Sequence, residues 1–343
     1  MRSIAEMLGL NKSRPVTTAK PAEIQCSSKR SIDPRIGAII SGGILGALIG
    51  DALGVPVEFS SRSEREDDPV TGMRSGGRWQ QPAGTWSDDG SLLLCSAESL
   101  IGGLDTGRMG KTFLSWLASA RWSARGEVFD IGNTTRASLL RIRDGFPAEL
   151  AGGDAEDSNG NGSLMRILPI ALRLHALPAS EVCNGAFMAS SITHRHIRSK
   201  IACAIYCLVV THVMRGASLP DAIAMTALDV RSAPGIPADE LAVFSRTLDP
   251  RLRDVPLTEI RSSGYVVHTL EASLWCALRH DNYRDTVLAA VNLGGDTDTT
   301  GAVAGGLAGV IYTDAGLPIE WVLALSSSAN VVQMLSRFRD DCA

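Results

Sequence analysis

Apolar residues recur at helical spacing along most of the chain. Ile201, Ala204, Ile205, Leu208 and Val209 follow the i, i+3, i+4, i+7, i+8 pattern of one helix face, and Leu92, Leu93, Ala97, Leu100 and Ile101 form a similar stripe. Residues 36–49 are almost continuously apolar but are broken by Gly37, Gly42, Gly43 and Gly46. That composition predicts a buried helix whose glycines let another backbone approach closely. Convincing alternating strands are scarce. Residues 232–263 carry Pro234, Pro237, Pro250 and Pro256, which predicts a long connection with short helices. Neither flank looks able to fold alone, so the pattern predicts one compact all-α domain over residues 35–343, without sequence repeats.

Residues 1–34 differ from the rest. Arg2, Lys12, Arg14, Lys20, Lys29 and Arg30 stand against Glu6, Glu23 and Asp33, and Pro15, Pro21 and Pro34 punctuate the segment. It reads as a flexible N-terminal arm, either a plain tail or a segment that folds onto an acidic partner.

With 343 residues, 45% of them apolar, the chain can bury a large core. A formal net charge of −4, with Lys and Arg dispersed, argues against a nucleic-acid polymer as partner. Seven cysteines without a CxxC pair fit a reducing cytoplasm. The residues from Met1 to Leu8 contain no uninterrupted apolar signal core, and no apolar run reaches the roughly 18 residues that span a bilayer. The expectation is a cytoplasmic protein without a membrane segment.

The chemistry concentrates near the C-terminus, in Asn292-Leu293-Gly294-Gly295-Asp296-Thr297-Asp298-Thr299-Thr300-Gly301. Asp296 and Asp298 repel each other unless a cation, a proton or a ring of donors neutralises them, so the turn suits a hard metal such as Mg²⁺ or Mn²⁺. A second oxygen cluster, Thr85-Trp86-Ser87-Asp88-Asp89-Gly90, stands where a helix should begin. Acids in a first helical turn need no ligand to justify them. Together, however, Ser87, Asp88, Asp89, Asp296, Asp298 and Thr299 make an all-oxygen set suited to two hard cations. The absence of His and Cys from that set argues against structural zinc.

Other segments add weaker signals. Glu58, flanked by Val57 and Phe59, suits a movable acid/base, whereas Asp51, before Pro56, suits a hydrogen-bonded structural acid equally well. Asn159-Gly160-Asn161-Gly162-Ser163 is a polar loop whose amides could cradle phosphate, or an ordinary turn. His194, in Thr193-His194, could contact a ligand or be structural. Two alternatives fail. The acid pair of haloacid-dehalogenase-like phosphatases follows a strand directly, but here Gly294 and Gly295 intervene after a helical pattern. Gly110-Lys111-Thr112 resembles a P-loop end, yet its first glycine would fall at Asp105.

Gly50-Asp51-Ala52-Leu53-Gly54 with Glu58, Trp86-Ser87-Asp88-Asp89, Asn161-Gly162-Ser163-Leu164-Met165-Arg166, Thr193-His194 and Gly294-Gly295-Asp296-Thr297-Asp298-Thr299 occur in the order seen in ADP-ribosylglycohydrolases. Over roughly residues 35–340 the chain resembles that family. The resemblance implies an all-α fold, two Mg²⁺ or Mn²⁺ ions, and removal of ADP-ribose from protein side chains, with arginine the expected linkage. It implies Ser87, Asp88, Asp89, Asp296, Asp298 and Thr299 as metal ligands, with Glu58 and Asp298 catalytic. Asn161, Gly162, Ser163, His194 and Gly295 would contact substrate, as would Asp130, whose position suits a turn or helix-capping acid equally well. The chain departs from the usual pattern at Ser87, commonly Thr, and at Gly90, where another Thr is frequent. Some bacterial members resemble immunity proteins, which would make residues 1–34 the contact for an ADP-ribosyltransferase toxin.

Overall fold

Asp33 starts the first helix, its Oδ1 accepting the Arg35 amide at 2.9 Å, with Pro34 in the first turn where a missing N–H costs nothing. The structure, a computed structural model, describes residues 33–326 and 328–342. The helical domain therefore begins at Pro34, at the edge of the expected arm. The proposed toxin contact falls almost wholly outside the described residues.

The helices are α1 (Pro34–Gly54), α2 (Arg62–Asp67), α3 (Asp88–Ser99), α4 (Thr106–Ser119), α5 (Asn133–Arg143), α6 (Leu168–Leu174), α7 (Ala179–Ser191) and α8 (Ile197–Met214). They continue with α9 (Leu219–Ser232), α10 (Ala238–Ala242), α11 (Val266–Arg279), α12 (Tyr283–Val291), α13 (Thr297–Tyr312), α14 (Ile319–Ala324) and α15 (Ser328–Cys342). Among the described residues there is no strand, only three isolated bridges. The proline-rich stretch forms α10 and two 3₁₀ turns, and the P-loop-like Gly110-Lys111-Thr112 lies inside α4. The six described cysteines are buried and free.

The antiparallel pair α1 and α13 forms the centre. Their glycines interlock: a Cβ on Gly42 would lie 2.3 Å from Gly309 O, one on Gly46 2.4 Å from Gly305 O, and one on Gly50 1.9 Å from Gly301 O. The two backbones touch along three turns, a distance that any side chain would hold open. At the end of this seam Thr297 Oγ1 donates to Gly54 O at 2.8 Å. The start of α13 is thereby pinned beside the end of α1.

Helix α1 also fixes α3. Asp51, fully buried, accepts the Ser87 amide at 2.9 and 3.1 Å and the Gly90 amide at 2.7 Å. These are first-turn donors of α3 that no helical carbonyl can reach. Asp51 is therefore the structural acid, and α1 is the strut that brings two acidic helix starts together.

Including its terminal 3₁₀ turn, α1 runs from Pro34 to Val57, 24 residues with a mean hydropathy of 1.8, and α8 has 18 residues at 1.4. Both are long and apolar enough to cross a bilayer, which corrects the expectation drawn from uninterrupted apolar runs. Ser41 and Asp51 interrupt the run in α1 without ending the helix. The most apolar windows of α1 and α8 are 89% and 78% buried within the bundle, so they act here as core helices.

Candidate active site

The start of α3 places Asp88 and Asp89 in its first turn, with Ser87 as N-cap accepting the Asp89 amide at 3.2 Å. The start of α13 places Asp298 likewise, after Asp296 at the N-cap position. Both turns carry the positive end of a helix dipole, which offsets part of the repulsion among acids. Thr299 Oγ1 donates across the gap to Asp89 Oδ2 at 3.3 Å, so the two clusters meet.

Glu58 enters from α1. Pro56 ends the helix in a 3₁₀ turn, and Glu58 leaves it in extended geometry. Carboxylate oxygens of Glu58, Asp130 and Asp298 lie within 4.8 Å of one another. Trp79 Nε1 donates to Glu58 Oε2 at 2.5 Å, and the same indole packs on Phe129 with centroids 5.7 Å apart, joining the two segments that carry Glu58 and Asp130. Phe59 and Asp130 both hold positive φ, 64° and 59°, a strained arrangement that local packing maintains beside the site.

The opposite wall is the polar loop. Asn161 Nδ2 donates to Asp296 Oδ2 at 3.0 Å and to Thr269 Oγ1 at 2.9 Å, tying the loop to α13 and α11. Gly162 is needed for close approach, since a Cβ there would lie 2.8 Å from His194 Cε1. A cleft of about 240 Å³ results, lined by Glu58, Asp88, Asp89, Asp130, Asn161, Gly162, His194, Asp296 and Thr299, with the α5 start from Gly132 to Thr135.

Three expected contacts sit elsewhere. Ser163 is fully buried, its hydroxyl accepting from Ser190 at 2.9 Å and 3.4 Å from Cys203 Sγ, so its side chain props the loop from behind. Gly295 accepts the Phe59 amide and donates to Ser60 O, both at 2.7 Å, bracing the Glu58 segment. Ser87 lies beneath the cleft wall, its Oγ 3.4 Å from Asp89 Oδ2. A side chain at Gly90 would lie 2.7 Å from Leu48 and Trp86, so core packing fills the space beside the absent hydroxyl. Trp79 and the backbone start of α5 join the site without a local sequence signal of their own, although Asp130 just before α5 marks that segment. A tryptophan in an irregular segment carries no periodic signal, and Gly132-Asn133 marks a helix start without saying what faces it.

Burial pushes the carboxyls of Asp88, Asp89 and Asp298 well above their ordinary range, and neighbouring acids add to this. Glu58 rises to about 8, through burial and then the charge of Asp130, and Asp130 rises to about 6 through burial. Burial lifts Asp51 to about 7 against the three lowering hydrogen bonds from Ser87 and Gly90. Among the described residues no Lys or Arg forms an ion pair with Glu58, Asp88, Asp89, Asp130, Asp296 or Asp298. Among the described residues, Asp89 Oδ1 and Asp298 Oδ2 are buried and find no hydrogen-bond partner. Orphaned carboxylate oxygens in an all-oxygen set fit a hard divalent cation. The surface group Glu156, His196 and Glu240 differs, because Arg198 already pairs with both acids.

The sequence profile of the ADP-ribosylglycohydrolase family matches residues 34–342. The chain belongs to the ADP-ribosylglycohydrolase family. It is 34% identical over 303 residues to the ADP-ribosylarginine hydrolase Tri1 of Pseudomonas putida (strain GB-1), covering 87% of this chain and 77% of that one. It is 31% identical over 292 residues to the ADP-ribosyl-[dinitrogen reductase] glycohydrolase of Rhodospirillum rubrum, covering 83% and 89%. A solved structure titled as an ADP-ribosylglycohydrolase-related protein complex superposes with a TM-score of 0.74 at 29% identity, over 90% of this chain and 100% of that one. Membership agrees with the all-α architecture and with the order of motifs in the sequence. In this ADP-ribosylglycohydrolase the two acidic helix starts and the polar loop surround one cleft.

Proposed function

We infer that the protein is a hydrolase that removes ADP-ribose from arginine side chains, with two Mg²⁺ or Mn²⁺ ions held by Asp88, Asp89, Asp296, Asp298 and Thr299, and with Ser87 orienting Asp89 from beneath rather than binding a metal itself. The observation that carries this reading is the pair of orphaned oxygens, Asp89 Oδ1 and Asp298 Oδ2, on two helix starts that meet where Thr299 Oγ1 donates to Asp89 Oδ2. Relatives from Pseudomonas putida and Serratia proteamaculans carry the name ADP-ribosylarginine hydrolase, which supports arginine as the linkage.

Bound there, divalent cations supply Lewis-acid polarisation and a rigid template for substrate hydroxyls. The chain's own groups supply the rest. Hydrolysis breaks the bond from the anomeric carbon to the guanidino nitrogen, which leaves with the bonding pair and gains a proton, while water adds to that carbon and loses one. Glu58, whose carboxyl is raised to about 8 by burial and then by the charge of Asp130, is placed to manage these transfers. Asp130 ionises at lower pH, so at neutrality its carboxylate can face the guanidinium and the positive charge that develops at the anomeric carbon. Asn161, Gly162 and His194 form the wall expected to hold the ADP-ribose oxygens. Buried, unoxidised thiols suit a reducing cytoplasm.

The test is chromatographic release of free ADP-ribose from protein modified on arginine, with a serine-modified protein in parallel. Release with Mg²⁺ from the arginine substrate, abolished by a chelator and by Asp298→Ala, is expected. No release with Mg²⁺, or undiminished release from Asp298→Ala, would overturn the reading.

A further inference from the structure

Arg166 is fully buried, and among the described residues no carboxylate pairs with it. Burial brings its pKa down to about 10, which still leaves a cation at neutral pH. The guanidinium carbon lies 4.5 Å from the Phe113 ring centroid, and Nε and Nη1 have no partner among the described residues. An unpaired buried cation is destabilising, and Arg166 does not line the cleft. Its value must be sought through what it touches.

Nη2 donates to Ala189 O at 3.2 Å and to Thr193 Oγ1 at 2.7 Å. Thr193 Oγ1 in turn lies 2.9 Å from Nδ1 of His194, a residue of the cleft wall. A guanidinium has only donors, so the Thr193 oxygen must accept from Arg166. The single hydroxyl hydrogen then needs an acceptor of its own. Among the described residues the remaining partner of this hydroxyl is His194 Nδ1. An Nδ1 that accepts is bare, which leaves the ring proton on Nε2. Burial, and after it the Arg166 charge, drives the His194 pKa down to about 3, so the ring does not become a cation at working pH. Nε2 faces the polar loop, 3.6 Å from where a Cβ on Gly160 would stand.

We propose that Arg166, acting through Thr193, fixes His194 as the neutral Nε2–H tautomer, a permanent hydrogen-bond donor to an oxygen of the ligand in the cleft. Arg166 and Thr193 are positioning residues. The opposite tautomer would present a lone pair, which repels an acceptor-only oxygen such as that of a phosphate. The identity of the ligand as ADP-ribose rests on the function proposed above, but the tautomer does not.

Long-range ¹H–¹⁵N spectra of the ligand-free full chain, labelled at histidine and assigned with His194→Gln, read the tautomer directly. The expected wild-type result is a bare Nδ1 and a protonated Nε2 from pH 6 to 8, with Thr193→Ser the same. Thr193→Val keeps the shape but loses the hydroxyl, and is expected to mix the tautomers and to weaken ADP-ribose binding in calorimetry about tenfold. A wild-type His194 protonated at Nδ1, or cationic at pH 6, would overturn the proposal whether or not Thr193→Val folds. So would a Thr193→Val spectrum and affinity unchanged from wild type. Bare Nδ1 with no ADP-ribose binding by the wild type would support the tautomer and refute the ligand.

Discussion

Gly50→Ala and Gly37→Ala make the same substitution in the same helix, yet they should have opposite effects. In an ordinary helix interior, Ala is favoured over Gly by about 0.5–1 kcal/mol. At Gly37 the new methyl would lie 3.1 Å from Cδ of Arg339, the stem of a flexible side chain that can swing aside. That variant should be neutral or more stable by up to about 1 kcal/mol. At Gly50 the methyl would lie 1.9 Å from the Gly301 carbonyl oxygen, where ordinary contact needs more than 3 Å. No rotamer relieves a backbone clash, so α1 and α13 must separate by over an ångström along the seam. Overpacking of this kind costs on the order of 2–4 kcal/mol, well beyond the propensity gain. Separation would also displace Asp51 and Glu58 from Asp298, so metal affinity should fall together with stability. Guanidinium denaturation followed by circular dichroism measures both variants, with a melting-temperature loss of roughly 5 °C or more for Gly50→Ala as the companion readout. A Gly50→Ala protein within about 0.5 kcal/mol of wild type would refute the tight seam.

Glu58, Asp51 and Asp130 have pKa values raised to about 8, 7 and 6, so the folded state binds more protons than the unfolded chain. Their stabilising contribution is full below the ordinary carboxyl range and is lost as pH rises through about 6 to 8. Chelator-treated protein should therefore melt at lower temperature at pH 8.5 than at pH 6.5, and Mg²⁺ should restore more at the higher pH; a melting point that rises with pH contradicts this. Glu58→Gln should lower kcat by about 10²-fold or more with little change in KM, as loss of a proton-transferring group does, and a kcat within threefold of wild type would remove Glu58 from that role. Deleting residues 1–32 should leave kcat/KM on a small arginine-linked substrate within about twofold, because every described residue lining the cleft lies between Glu58 and Thr299. A large loss would place the arm in the site.

Much of this architecture is readable from residue pattern. The i, i+4 glycines of residues 36–49 announce a helix meant for close backbone contact, and the acid pairs before apolar stripes announce two helix starts. What pattern cannot supply is direction. Ser163 and His194 looked equivalent as loop and turn residues, yet one hydroxyl points into the core and the other ring lines the cleft. Asp51 and Glu58 sit seven residues apart, but the 3₁₀ turn at Pro56 separates a clamp on α3 from an acid in the cleft. Arg166 is invisible as a positioning residue in sequence, because its meaning depends on a threonine that reaches it only through the packing of α7.

The central claim is that acidic residues from two helix starts converge on a metal centre. Anomalous diffraction from crystals soaked in Mn²⁺ tests it most directly. The account predicts two peaks roughly 3.5–4 Å apart, coordinated by oxygens of Asp88, Asp89, Asp296, Asp298 and Thr299. No peak in the cleft, or manganese found only at Glu156, His196 and Glu240, would contradict it.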